Sequence, residues 1–303
     1  MSILRRFANS DLGYSFLHSR VVVAAAIVVA VVVVAAVGAD ALAPHNPFDL
    51  ASLELFDALT PPAWEAGGQW IYPLGTDDQG RDVLSAIMYG TRVSLMVGFA
   101  SVALSMAIGI PLGMISGYFG GMLDSVIMRF AEIQLTFPAI LIALLIDGIV
   151  RTALPRDIHS DIAVFVLIAA IGFSNWVQYA RTVRGMTLVE RSKEYVQAAQ
   201  VTGVHPLLIM LRHILPNVAS PVLVIATIGL ALAIVTEATL SFLGVGVPPT
   251  QPSLGTLIRI GNDFLFSGEW WIATFPSVTL VALVISVNLL GDWLRDVLNP
   301  RLN

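Results

Sequence analysis

Cysteine is absent from this 303-residue chain, and lysine occurs once, at Lys193. The first absence excludes disulfides, thiolate metal sites and a cysteine nucleophile. The second, with the lack of any glycine-rich loop ending in Gly-Lys-Ser or Gly-Lys-Thr, excludes nucleotide hydrolysis by the P-loop route. Charge is scarce as well. Asp, Glu, Lys and Arg make up 12% of the residues, about half the share in a soluble globule, while 56% are apolar and the mean hydropathy is +0.82. Apolar runs of about 20 residues recur, the length a helix needs to cross roughly 30 Å of hydrocarbon, so the chain is a polytopic membrane protein. Catalytic constellations are missing too. The five histidines (His18, His45, His159, His205, His213) are scattered, with no His-Glu-x-x-His pair, and there is no Gly-x-Ser-x-Gly elbow.

Hydropathy predicts six spans, at 21–42, 92–117, 123–147, 162–181, 216–243 and 271–291. The first reads as an uncleaved anchor, because its apolar core exceeds the roughly 7–15 residues of a signal peptide. Arg5, Arg6 and Ala39-Asp40-Ala41 keep a cleaved signal as the alternative. Basic residues set the orientation. With the N-terminus inside, the inner segments hold Arg5, Arg6, Arg20, Arg181, Arg184, Arg191, Lys193, Arg212, Arg295 and Arg301. The outer segments hold only Arg81, Arg92, Arg151, Arg156 and Arg259, among thirteen acids. The net charge of −5 is therefore an outer-face feature and does not point to nucleic acid. The expected order is a cytoplasmic tail (1–20), a first span (21–42), an outer loop with an interfacial helix (43–91), a core (92–291) containing a cytoplasmic loop at 182–215, and a cytoplasmic tail (292–303).

Within the outer loop, Thr76 and Gln79 have capping-box spacing, and Asp77 and Asp78 suit the positive end of a helix. Val83, Leu84, Ile87 and Met88 share a face of that helix, which predicts an interfacial segment leading into the second span. That span carries a small residue at every fourth position: Ser101, Ser105, Gly109, Gly113 and Gly117. Such a ridge lets helix backbones approach closely. Four residues overshoot one turn by about 40°, so the ridge could serve more than one neighbour. Gly117-Tyr118-Phe119-Gly120-Gly121 predicts a tight turn, and Pro138 and Pro221 predict kinks. Trp64, Trp70, Trp270 and Trp271 at outer boundaries, and Trp293 at an inner one, read as interfacial anchors.

Ionisable residues at membrane depth are candidates for a translocation path. Glu237 and Glu132 qualify. Arg129 precedes Glu132 by three residues and can neutralise it. No partner for Glu237 is evident within its own helix, which leaves a polar pathway or interhelical hydrogen bonding open.

The most informative stretch is 190–217, ERSKEYVQAAQVTGVHPLLIMLRHILPN. It is too charged for the bilayer, yet Tyr195, Ala198, Ala199, Thr202, Leu207, Met210, Leu211 and Ile214 recur at helical spacing. A helix of this kind, held by spans on both sides, is built to press on something outside the membrane. Small residues at Ala198, Ala199 and Gly203 let a partner come close.

This stretch resembles the coupling loop of ABC importer permeases: Gln197-Ala198-Ala199 stands for the Glu-Ala-Ala triplet, Gly203 for its glycine and Leu215-Pro216 for its end. Gln197 replaces the glutamate and His213 an isoleucine, with Glu194 one turn earlier as an acidic substitute. Gly75-Thr76-Asp77, Gly80-Arg81-Asp82, Gly90 to Leu95, Gly117 to Gly121, Phe137-Pro138, Glu237 to Gly246, Gly291 to Asp296 and Asn299-Pro300-Arg301 extend the resemblance over 74–303. The family is that of dipeptide, oligopeptide and nickel importer permeases, within it the second permease subunit of dipeptide importers. The resemblance implies an all-α membrane protein of six transmembrane helices with the type I ABC importer (MetI-like) permease fold and both termini cytoplasmic. It implies ATP-driven import of dipeptides or oligopeptides by alternating access, with nickel, glutathione or an opine as alternative cargo. The ATPase-coupling residues are then Glu194, Gln197, Ala198, Ala199, Gly203, Val204 and Pro206. The implied partners are a homologous second permease subunit, two cytoplasmic ABC ATPase subunits carrying ATP and Mg, an extracytoplasmic solute-binding protein and membrane lipid. No catalytic residue, metal or cofactor is expected in this chain. An ion-driven secondary transporter is the rival reading, but such folds show internal repeats and midplane charges on broken helices, and no clear repeat is present.

Overall fold

The computed structural model describes residues 11–48, 55–153, 159–248 and 250–298, and among them every regular element is helical. Near the N-terminus come α1 (Asp11–His18), α2 (Arg20–Val37) and α3 (Ala39–Leu42). Beyond an irregular loop with one 3-10 turn (Leu55–Asp57) follow α4 (Val83–Phe119), α5 (Gly121–Leu135), α6 (Ala139–Ala153) and α7 (His159–Arg191). Then come the short α8 (Glu194–Val201) and α9 (Pro206–Ile209), a π-helical turn (Met210–Ile214), α10 (Leu215–Phe242), α11 (Leu254–Phe264) and α12 (Trp271–Val297). Among the described residues, five helices are long and apolar enough to cross a membrane; a sixth span exists only if α5 and α6 together count as one.

That pair covers the expected third span. The kink expected at Pro138 is a full break: the helix stops at Leu135 and the chain turns by 90° into α6. Pro138 has no N–H to donate and disfavours helical backbone at Phe137. The last turn of α5 tightens instead, with the N–H of Thr136 on the Ile133 carbonyl at 3.2 Å and that of Phe137 on Gln134 at 3.1 Å. Pro111, Pro221 and Pro276 remain inside their helices.

The start of α4 is a correction. Thr76 does not cap a helix; its hydroxyl donates to the Asp57 carbonyl at 2.5 Å and accepts from the N–H of Thr60 at 2.8 Å. The segment from Thr76 to Asp82 is a largely buried loop. Asp77 accepts from the N–H groups of Gln79 and Arg81 and pairs with the Arg81 guanidinium at 2.6 Å. Gly75 and Gly80 turn the chain there with φ of +82° and +76°. Asp82 is the true cap, accepting from the N–H of Ser85 at 2.9 Å, so the interfacial helix and the second span fuse into one 37-residue helix. Trp271 is buried rather than interfacial, and its indole donates to the Thr76 carbonyl at 3.0 Å. Trp64 and Trp70 are exposed.

The small-residue ridge of α4 packs on α7 along its whole length. Ser105 donates to the Gly172 carbonyl at 2.8 Å, and Ser101 reaches the Ile168 carbonyl at 3.4 Å. A methyl group at Gly109 would lie 2.5 Å from the Trp176 carbonyl, one at Gly113 2.5 Å from that of Ala180, and one at Gly117 2.8 Å from that of Arg184. The carbonyls met on α7 thus step by four residues as the ridge does, which keeps both helices on one winding seam. At the end of this seam Gly120 and Gly121, both with φ near +60°, make the expected tight turn into α5. Asp124 of α5 there receives two hydrogen bonds from Arg184 of α7, at 2.5 and 2.6 Å, and one from the hydroxyl of Ser116.

Candidate functional site

Residues 190–217 lie against the same end of the bundle as the Gly120–Gly121 turn. The expected single amphipathic helix is two. α8 ends in a left-handed residue, Gly203, at φ +77°. The N–H of Gly203 bonds the Gln200 carbonyl and that of Val204 bonds the Ala199 carbonyl, both at 3.0 Å. This paired 5→2 and 6→1 pattern is a Schellman motif. Gly203 is therefore required by the backbone. A Cβ on it would meet nothing within 4 Å. Beyond the turn, His205 caps α9 by accepting from the N–H of Leu207 at 3.3 Å, and Pro206 occupies the first turn, where its missing N–H costs nothing.

The inner face of α8 is carried by Val196 and Ala199. They join one apolar cluster with Met114 and Tyr118 of α4, Val183 of α7, and Ile209, Met210, Ile214 and Val218. Polar contacts fasten the same face. The hydroxyl of Tyr195 donates to Glu190 of α7 and accepts from the side-chain amide of Asn217 of α10 at 3.0 Å. Lys193 pairs with Glu190 at 2.5 Å, and Gln200 donates to the Tyr118 hydroxyl at 3.2 Å. Burial, and then Glu190 beside it, push the Tyr195 hydroxyl up to about 12, so it stays protonated as a donor. α8 is thereby bonded to α4, α7 and α10 at once.

The opposite face is open. Glu194, Gln197, Ala198 and Gly203 are exposed, while Val204 and Pro206 are half-buried. Val201 is 89% exposed, Leu207 54% and Leu211 48%, a row of apolar side chains without cover among the described residues. Of the seven coupling residues named from sequence, Ala199 alone is buried. Sequence reasoning gave no role to Glu190, Asn217 or Gln200. The three-residue step from Glu190 to Lys193 is a legible signal for the first; nothing in the sequence announces the other two.

Glu237 and Glu132 are far apart in character. Glu237 is fully buried in α10, and the expectation of no partner in its own helix fails. Ser241, one turn on, donates to it at 2.7 Å, and Ser94 of α4 donates at 2.7 Å while accepting from the N–H of Leu254 of α11 at 3.2 Å. The carboxylate thus clasps α4, α10 and α11 by interhelical hydrogen bonding. Glu132 is exposed on α5 and pairs with Arg129 at 3.4 Å, as the spacing predicts. No group of three or more His, Cys, Asp or Glu placed to hold a metal ion occurs among the described residues.

Residues 109–303 match the family model of the binding-protein-dependent transport system inner membrane component. The dipeptide transport system permease protein DppC of Haemophilus influenzae is 40% identical over 262 residues, 86% of this chain and 85% of its own length. DppC of Escherichia coli K12 is 39% identical over 268 residues, 88% of this chain and 84% of its own. The di/tripeptide transport system permease protein DppC of Pseudomonas aeruginosa is 35% identical over 288 residues, 95% and 90% respectively. Among solved structures, an inward-facing form of the MetNI methionine ABC transporter has a chain of similar fold, with a TM-score of 0.55 at 22% identity over 71% of this chain and 96% of that one.

Proposed function

The chain belongs to the inner membrane components of binding-protein-dependent transport systems, multi-pass membrane permeases, and from that membership we propose that it forms half of the translocation pathway of an ATP-driven importer of dipeptides or oligopeptides. One observation carries the mechanism: a short helix with an uncovered outer face is bonded through its inner face to three long helices. On this reading α8 and the turn through Pro206 seat on a cytoplasmic ATPase. Glu194, Gln197, Ala198 and Gly203 lie on the contact face, while Ala199 and Val204 brace it from within. A homologous second permease supplies the other half of the path, an extracytoplasmic binding protein delivers the solute, and ATP and Mg reside on the two ATPase subunits. Hydrolysis belongs to those partners, since this chain has no P-loop.

ATP binding closes the ATPases, and α8 carries that movement to α4, α7 and α10. The permease halves rock to an outward-open state, and hydrolysis returns them. The coupling is only as strong as the difference between the two seats: moving the equilibrium from 1:99 to 99:1 takes about 5.5 kcal/mol of differential contact. The test is reconstitution in proteoliposomes. The complete complex should accumulate labelled dipeptide when ATP is on the ATPase side and the binding protein on the other. Solute movement by this chain alone, driven by an ion gradient, would replace the proposal with secondary transport.

A further inference from the structure

At mid-height of the bundle, α7 presents three uncharged polar side chains on one face, Asn175, Gln178 and Tyr179, at the i, i+3 and i+4 positions. Together with Val102 and Ser105 near the middle of α4 and Gly229 at the middle of α10, they line a niche. Tyr179 is 2% exposed, yet its hydroxyl has no hydrogen-bond partner among the described residues. Gly229 makes room for it, since a Cβ there would collide with that oxygen. The side-chain amides of Asn175, half-buried, and Gln178, exposed, also find no partner among the described residues. The niche holds about 10 Å³, room for roughly one water.

Unbonded carboxamides facing hydrocarbon are costly, so polar groups at this depth face the bundle interior or a water-filled path. The other intramembrane polar groups of α7 illustrate the contrast. Ser174 donates to the carbonyl one turn back, and Trp176 donates to Gln134 at 2.6 Å. The Asn175–Gln178–Tyr179 face is left with bonds to give. Two carboxamides and a phenol offer both donors and acceptors and no charge. That set matches the N–H and C=O of a peptide group and is indifferent to the charge and size of the side chains it carries.

We infer that the Asn175–Gln178–Tyr179 face lines the solute path at mid-membrane and hydrogen-bonds the backbone of the passing peptide. The inference rests on the reading of this chain as a peptide importer permease. Because the chain has no native cysteine, a single Gln178→Cys in the assembled transporter reports its surroundings directly. The introduced thiol should react with a charged, water-soluble reagent in at least one nucleotide state, and saturating dipeptide should slow that reaction severalfold. Tyr179→Phe, which removes only the hydroxyl, should lower dipeptide uptake severalfold while the ATPase subunits still co-purify. Two results overturn the inference. One is an introduced thiol that reacts only with a lipid-soluble maleimide, or cross-links to the second permease, in every nucleotide state. The other is wild-type uptake by Tyr179→Phe at all peptide concentrations. Failure of the wild-type complex to carry dipeptides would strike the importer reading instead. The water-soluble reagent would still report whether the niche faces the path.

Discussion

Gly203 permits the backbone of the turn after α8, the proposed coupling turn, to be separated from the surface the turn displays. With φ at +77°, a residue bearing a Cβ pays the left-handed penalty of roughly 1–2 kcal/mol, which corresponds to about a 5- to 30-fold fall in the native turn relative to its alternatives. Asn tolerates this region better and is the usual alternative at that helix position. Sterics add nothing within the subunit, because no atom lies within 4 Å of the Cβ site. The damage is therefore confined to two hydrogen bonds, those from the N–H groups of Gly203 and Val204. Gly203→Ala, Gly203→Asn and Gly203→Glu should all reach the membrane in near-normal amounts. Uptake should fall by about fivefold or more in Gly203→Ala, less in Gly203→Asn, and to background in Gly203→Glu, where a carboxylate is forced into the seat of the ATPase. The assay is labelled dipeptide uptake, with co-purification of the ATPase subunits from the same cells. Wild-type uptake and co-purification in Gly203→Glu would refute the assignment of this turn as the coupling element.

Glu237→Ala should lower the stability of the detergent-purified complex by about 2–3 kcal/mol, because Ser94 and Ser241 lose a buried acceptor; Glu237→Gln, which keeps one, should lose less, and equal thermal midpoints for Ala and wild type would contradict the clasp. Gly109→Ala puts a methyl 2.5 Å from the Trp176 carbonyl and should cost about 1–3 kcal/mol and much of the accumulated protein, whereas Gly185→Ala, with no atom near its Cβ, should accumulate normally by immunoblot. Gln69→Cys should react with an impermeant thiol reagent in intact cells whose outer membrane, if present, is permeabilised. Ser192→Cys should react only after the inner membrane is opened, and its labelling from outside would put α8 on the wrong side of the membrane from ATP.

Periodicity and composition made the apolar helices and the α4 ridge legible, because both depend on local spacing alone. The ridge's seam with α7 was not, since it depends on a matching four-residue step on α7, about 70 residues away in sequence. The break at 136–138 was under-read for a related reason. A proline announces a lost hydrogen bond, but whether a helix bends or stops depends on what the neighbours offer, and here Gln134 is committed to α7. The false cap at Thr76 arose because Asp77 and Gln79 fit two local patterns equally well, and the buried Arg81 decided between them. Between α8 and α9 the glycine was visible but its reason was not. Small size suggested close approach, whereas the positive φ supplies the requirement. Glu237 shows both limits: Ser241 at i+4 could have been read from the sequence, while Ser94 lies 143 residues away.

The bonds around α8 constrain how a push on it can travel. At the end that carries α8, α4, α5 and α7 are joined by Asp124, Arg184 and Ser116, and above that the seam between α4 and α7 has carbonyls within 2.5–2.8 Å of where a methyl would sit. A seam that leaves no room for a methyl group is closely packed, and such packing resists local bending. At the other end, Glu237 ties α4 to α10 and α11. The discontinuity outside this frame is the 90° break between α5 and α6. On the function proposed above, movement delivered through Tyr195, Val196 and Gln200 would reach α4, α7 and α10 together, since α8 is bonded to all three. The Asn175–Gln178–Tyr179 face lies in a niche built from those same three helices, so the same proposal places it in the path of that movement.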